Sequence, residues 1–285
     1  MLEDRTKLAF PDKGQTTIPL LFEPRVLRCL AAGPGGRPLT VLLDTGTDTS
    51  AIDLGLAQRL GLRLGEFGQG QSATSDTVCF TETILPWLRL GDLTFLNLFV
   101  LALDLRESPF HVDIILGYNV LCQLILHIDY AKLSLRLSHP DLGDNESLSL
   151  SIITLPLTFF DHFPAIPNAI LAETIHLATV TIDTGSNGGL TLGPDLAAQF
   201  GLQREAEAVK LGQGAGFTGS CEVLHGCASS LRLGSLVLRD VAVDSPGAGA
   251  GDLRREGRAN IGNQLLARFT ALTLDYGRKL CLLQP

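Results

Sequence analysis

A chain of 285 residues, 45% of them hydrophobic, carries enough apolar material for one or two folded cores and is not disordered throughout. Its formal net charge of −8 and the absence of any long Lys/Arg run argue against nucleic acid or an anionic membrane as a partner and point to a neutral substrate. The opening MLEDRTKLAFPDKGQ has neither the basic start nor the apolar run of a secretion signal, and no apolar stretch approaches membrane-spanning length, so the expected location is the cytoplasm.

Taken in chain order, residues 1–14 read as an N-terminal tail. Short runs rich in branched or aromatic residues follow: RVLRCL from Arg25, LTVLLD from Leu39, WLRLGDLTFLNLFVLAL from Trp87 and LILHIDYAKLSLRL from Leu124. Gly, Pro and Asp punctuate them, as strands require. One helix interrupts these strands, LGLAQRLGL from Leu54, with apolar residues at helical spacing and a terminating Gly61. From Ser138 to Ser147 the chain reads SHPDLGDNES, where Pro, Gly, Asp and Asn cluster without apolar periodicity, marking a join. Beyond it a second helix, GPDLAAQFGL from Gly193, carries Pro194 near its start and Gly201 at its end.

The chain also contains itself twice. TIPL at Thr17 returns as TLPL at Thr154, VLLDTGT around Asp44 as VTIDTGS around Asp183, and LAQRLGL at Leu56 as LAAQFGL at Leu196. FGQGQ at Phe67 pairs with LGQGA at Leu211, LRLGDL at Leu88 with LRLGSL at Leu231, ILGYNVL at Ile115 with NIGNQLL at Asn260, and HIDY at His127 with TLDY at Thr273. The order is the same in both halves and the offset nearly constant, which marks a duplicated domain.

Each repeat drives an apolar strand into Asp-Thr-Gly, and a carboxylate at the end of a buried strand is costly unless something uses it. One Asp-Thr/Ser-Gly triplet arises by chance in roughly one chain in ten of this size. Two copies at matching repeat positions single out Asp44 and Asp183. Metal chemistry finds no support: there is no HExxH, and the six cysteines form no CxxC. The cysteines lie mostly in apolar segments and are expected to be reduced, packed thiols.

Both halves resemble the retropepsin-like, retroviral-type aspartyl proteases. DTGTDTSAIDLGLAQRLGL and IILGYNVL in the first half, and DTGSNGGLTLGPDLAAQFGL and ANIGNQLL in the second, resemble that family's active-site loop and its downstream apolar-apolar-Gly signature. The resemblance implies a mainly β fold: two lobes in one chain, each with a short helix, related by a pseudo-twofold axis. The lobes are expected over 15–138 and 151–285, with a linker over 139–150.

The implied activity is an aspartic endopeptidase in which Asp44 and Asp183 share one proton and activate a water for attack on the peptide carbonyl, with no cofactor. The alternative is a non-catalytic peptide-binding or regulatory module on the same fold. By the resemblance Thr45 and Thr184 interlock across the lobes; Gly46 and Gly185 are expected to bring backbone N–H groups to the carboxylates, and the hydroxyls of Thr47 and Ser186, where many retroviral members have Ala, to donate to them. Asp48 and Asn187 are expected to hold substrate backbone. The Gly-rich stretches with Gly68, Gly70, Gly212 and Gly214 are expected to be flap hairpins whose glycines permit backbone excursions, with Phe67, Phe80 or Phe217 as an aromatic wall. Asp129 and Asp275 are expected to shape hairpins. The partner is a peptide or protein substrate, and a monomer suffices because one chain supplies both loops.

Overall fold

Apolar runs bounded by turn residues become strands throughout the computed structural model, which describes residues 2–73, 75–106, 108–142, 152–202, 209–216, 219–246 and 251–285. The first half comprises β1 (Lys7–Ala9), β2 (Gln15–Pro19), β3 (Arg28–Ala31), β4 (Leu39–Leu43), β5 (Ala51–Asp53), α1 (Leu54–Arg59), β6 (Phe67–Gly70), β7 (Val78–Leu90), β8 (Leu93–Leu103), β9 (Ile114–Leu116), α2 (Tyr118–Leu121), β10 (Ile125–Asp129) and β11 (Ser134–Ser138). The second comprises β12 (Ile153–Pro156), β13 (Thr158–Phe160), β14 (Phe163–Leu171), β15 (Ile175–Ile182), β16 (Leu190–Leu192), α3 (Pro194–Phe200), β17 (Lys210–Gly216), β18 (Gly219–Leu233), β19 (Leu236–Pro246), β20 (Ala259–Ile261), α4 (Asn263–Leu266), β21 (Ala271–Asp275) and β22 (Leu280–Gln284).

Each half builds one sheet of its own, ordered β3-β4-β9-β5-β8-β7-β6 in the first and β13-β14-β15-β20-β16-β19-β18-β17 in the second. A third sheet, β12-β22-β21-β10-β11-β2, takes three strands from each half. At its centre β10 and β21 pair antiparallel with His127 opposite Thr273, and His127 Nδ1 lies 2.8 Å from Thr273 Oγ1. The result is the mainly β, two-lobed architecture expected of an acid protease.

Burial explains the sequence patterns. Strand β4 is hydrogen-bonded between β3 and β9, and Leu39, Val41, Leu42 and Leu43 are fully buried, so it reads as a continuous apolar run. Strand β2 turns Thr16 and Ile18 inward and leaves Gln15, Thr17 and Pro19 outside, giving the alternation of a half-buried strand. The Asp53 carboxylate caps α1 by accepting from the Leu56 N–H at 2.7 Å. Gly61 and Gly201 follow α1 and α3 at φ 66° and 80°, the left-handed conformation that ends a helix at little cost in glycine.

Three expectations change. Each half has a second short helix, α2 or α4, beginning after Gly117 or Gly262; four residues are too few to display a helical period. Residues 1–14 are more than a tail: β1 pairs with β8, Lys7 opposite Leu96, and the Leu2 N–H donates to Glu82 Oε2 at 2.6 Å. Cys29 and Cys281 are buried, and burial pushes both thiols up to about 12, but Cys79 and Cys227 are exposed rather than packed. Residues 143–150 of the expected linker lie outside the described residues.

Candidate active site

Strands β4 and β15 end on the two aspartates, and each following loop hangs from a neighbouring parallel strand. The Asp44 N–H donates to the Leu116 carbonyl at 3.0 Å, and the Asp183 N–H to the Ile261 carbonyl at 2.9 Å. The first turn of each short helix then clasps the loop: the Tyr118 N–H donates to the Thr47 carbonyl and the Asn263 N–H to the Ser186 carbonyl, both at 2.9 Å. Backbone hydrogen bonds thus fix both loops before any side chain acts.

The two loops are cross-bonded through their threonines. Thr45 Oγ1 accepts from the Thr184 N–H at 3.0 Å and donates to the Ile182 carbonyl at 2.6 Å. Thr184 Oγ1 accepts from the Thr45 N–H at 3.1 Å and donates to the Leu43 carbonyl at 2.8 Å. Both side chains are buried, so each hydroxyl satisfies a donor and an acceptor that would otherwise be left unpaired.

This cross-bonding brings the carboxylates face to face. A Cβ on Gly46 would stand 2.6 Å from Asp183 Cγ, and one on Gly185 would overlap the Asp44 carboxyl. Asp44 Oδ1 accepts from the Gly46 N–H at 2.8 Å and Oδ2 from the Thr47 hydroxyl at 2.6 Å. Asp183 Oδ1 accepts from the N–H groups of Gly185 at 2.8 Å and Ser186 at 3.0 Å. Burial pushes the Asp44 carboxyl well above the usual carboxylate range. The neighbouring Asp183 charge pushes the same way, against the Thr47 and Gly46 donors.

The Ser186 hydroxyl does not play the part expected of it. It accepts from the Gly188 N–H at 3.3 Å, and Asp183 Oδ2 is met instead by Asn260 Nδ2 at 2.9 Å. Sequence reading missed Asn260, although a signal was present: it is the polar counterpart of Ile115 in an otherwise apolar buried strand. Asn263 was missed as well; its amide donates to the carbonyls of Thr184 at 2.8 Å and Ser186 at 3.0 Å. The Tyr130 hydroxyl donates to Asn263 Oδ1 at 3.0 Å. Tyr276, which follows Asp275 as Tyr130 follows Asp129, has a buried hydroxyl with no hydrogen-bond partner among the described residues; the ring edge-on to it at 6.2 Å is Tyr118.

Asp48 is exposed and holds His162 Nδ1 at 2.9 Å, tying the first half's loop to the β13–β14 turn of the second half. The His162 ring stacks on Tyr118 at 4.9 Å. Asn187, its counterpart, is exposed. The Gly-rich stretches form hairpins, β6–β7 and β17–β18, and Gly68 and Gly212 are places of close approach. A Cβ on Gly68 would stand 2.6 Å from the Phe80 ring, and one on Gly212 would overlap the His225 ring. Gly70 sits one residue pair further along β6, and Gly214 lies opposite Cys221 on β17. Phe67 is 82% exposed, whereas Phe217 lies outside the described residues. The tip of the first hairpin reaches the other half: the Ser72 carbonyl accepts from the Asp252 N–H at 2.9 Å, and Asp76 pairs with Arg254 at 2.7 Å. Asp129 and Asp275 shape hairpins as expected, accepting from the N–H groups of Lys132 at 2.7 Å and Arg278 at 2.8 Å.

A family model described as aspartyl protease matches residues 32–120, the stretch that contains Asp44. No curated protein matches the chain. Among solved structures, the crystal structure of basic 7S globulin from soybean is similar, with a TM-score of 0.55 and 10% identity over 95% of this chain and 96% of that one. At that identity the likeness concerns the fold alone. The chain therefore has a mainly β, two-lobed fold of the acid-protease type, with an aspartyl protease match over residues 32–120.

Proposed function

We propose that this protein is an aspartic endopeptidase, a tandem duplicate of a retropepsin-like lobe, hydrolysing peptide bonds by a water activated between Asp44 and Asp183. The observation that carries the reading is the facing pair of carboxylates, each supplied with donors and each pressed against the glycine of the opposite loop. Two carboxylates so close cannot both ionise easily, so the pair holds one proton, and one member acts as base while the other acts as acid. The lobes are 15–138 and 151–285. The β6–β7 and β17–β18 hairpins are the flaps that close over an extended, mainly apolar peptide, with Asp48 and Asn187 at opposite ends of the cleft. We place the protein in the cytoplasm.

The test is digestion of a peptide library by the full chain, read by mass spectrometry beside an Asp183→Asn control. New termini made by wild type and absent from the control support the reading, and equal cleavage by both refutes it.

One chain suffices for this chemistry. The six-stranded sheet shared by the halves and the threonine cross-bonding join them within one molecule. Specific activity is expected to stay constant over about a hundredfold dilution. A steep loss on dilution, with dissociation seen in sedimentation, would mean that lobes pair between chains.

The Thr47 hydroxyl donates to Asp44 and stabilises its ionised form. With the active state holding one proton, its loss at high pH ends activity, so Thr47→Ala is expected to raise the alkaline limb of kcat/KM by about one pH unit. Ser186→Ala, whose hydroxyl accepts from Gly188, is expected to leave that limb in place. The opposite ranking of the two variants would show that the bonding around the pair differs in solution.

A further inference from the structure

We infer that Asn260, held by Thr181, is a positioning residue that keeps the negative charge of the aspartate pair on Asp183, making Asp183 the base and Asp44 the acid. The inference rests on the peptidase reading for its catalytic meaning, but its geometry stands independently. Asn260 is only 6% exposed and its Nδ2 lies 2.9 Å from Asp183 Oδ2. Thr181 Oγ1, one strand over on β15, lies 2.8 Å from Asn260 Oδ1 and 3.1 Å from the Ala259 carbonyl. The register of β15 and β20 sets Thr181 opposite Asn260.

Which way the amide points follows from proton counting. With Nδ2 toward Asp183, an N–H meets an ionised oxygen and the Thr181 hydroxyl meets the amide oxygen. Turned over, the amide oxygen would face Asp183 Oδ2 at the same distance, which needs a proton on Asp183. Two backbone N–H groups, whose direction is fixed, already meet Asp183 against one at Asp44, and Asp44 is the more buried of the two, so the charge rests on Asp183 and the first arrangement holds.

The two halves differ at this point. The position matching Asn260 in the first half is Ile115, which has no donor to offer Asp44. Asp183 accepts from two N–H groups and the Asn260 amide, and Asp44 from one N–H and a hydroxyl. The other titratable groups around the pair do not reverse this bias. Behind Asp44 lies Tyr276, pushed up by burial and so neutral. Behind Gly188, where a Cβ would stand 3.0 Å from its Oδ2, lies Asp244, also pushed up by burial. Asp48 and His162 form an exposed pair. Arg258, two residues before Asn260, is engaged by Asp252 at 2.6 Å.

The proton path follows. Asp183 takes a proton from the water as its oxygen bonds to the carbonyl carbon, and Asp44 gives its proton to the carbonyl oxygen. On collapse the C–N bond breaks, Asp183 returns its proton to the leaving nitrogen, and a hydroxyl of the intermediate reprotonates Asp44. The pair ends as it began.

The sign of the mutational effect is distinctive. The amide stabilises the singly protonated pair against the doubly protonated one, but it faces an ionised Asp183 in both the singly protonated and the fully ionised pair. Asn260→Ile, which installs the first half's own residue, is therefore expected to move the acid limb of kcat/KM up by about one to two pH units and leave the alkaline limb unmoved. Thr181→Val, an isosteric change, is expected to move the acid limb the same way by less. The decisive reading needs no substrate: carboxyl ¹³C shifts of labelled Asp in the full chain, assigned with Asp44→Asn and Asp183→Asn, followed against pH. At the pH of greatest activity Asp183 is expected to show the shift of a carboxylate and Asp44 that of a carboxylic acid, and in Asn260→Ile the two are expected to move toward each other. The carboxylic-acid shift on Asp183 in wild type, or shifts unmoved in both variants, overturns the assignment. Absence of peptide cleavage together with the expected shifts would overturn the peptidase reading and leave the charge assignment standing.

Discussion

Replacing either Asp44 or Asp183 with Asn is expected to lower kcat/KM for peptide cleavage by about 10³-fold or more while the fold persists. Asn preserves the shape of the carboxyl group, and the Gly46, Gly185 and threonine contacts that frame it can remain. It can neither take a proton from water nor donate one as a carboxylic acid. The double variant is expected to be no worse than either single one, because the pair acts as a unit. Stability moves the other way for Asp44. Its folded-state pKa lies above the unfolded value, so the folded protein holds more protons, and stability present below the unfolded pKa is lost as pH rises through the folded one. Asp44→Asn removes that loss, and its melting temperature is expected to exceed that of wild type at neutral and higher pH. Full activity in either single variant, measured on the same peptide, would remove the basis for the proposed chemistry.

The second large effect is expected from Gly185→Ala. The new methyl group would fall on the Asp44 carboxyl, and neither partner can retreat, since the loop is tied by Thr184 to Thr45 and Leu43. Asp44 must shift or the loops must part. Displacing a reacting group by about an ångström costs on the order of 10²-fold in rate, and overpacking a buried site costs about 1–3 kcal/mol of stability. Turnover is thus expected to fall by about 10²-fold or more, together with a lowered denaturation midpoint. Gly61→Ala serves as the control: nothing lies near its Cβ position, so only the strain at φ 66° is felt and turnover is expected to hold.

Much of this arrangement was legible because it is local. Two Asp-Thr-Gly segments closing apolar strands, and Gly61 and Gly201 closing helices, are short-range patterns with short-range causes. What escaped depends on contacts between distant segments. The pairing of β10 with β21 leaves no periodic mark on either strand, and the strand at Lys7–Ala9 is three residues added to β8, a strand inside the sheet. Thr47 and Ser186 look equivalent in sequence, yet only the Thr47 hydroxyl donates to its aspartate. In the other half Asn260 occupies that oxygen, and whether position 260 or 115 carries an amide decides the outcome. The hairpin glycines were visible but the close approach at two of them was not: the Phe80 and His225 rings that fill the space above Gly68 and Gly212 come from the opposite strands.

The central claim, water attack on a peptide bond between Asp44 and Asp183, is tested most directly by digesting a peptide library with the full chain in ¹⁸O-labelled water and weighing the products. Wild type is expected to yield new carboxyl termini carrying a single ¹⁸O, with no enzyme-bound fragment, and Asp183→Asn to yield none. Absence of labelled products from folded wild-type protein, or their undiminished formation by Asp183→Asn, would contradict it.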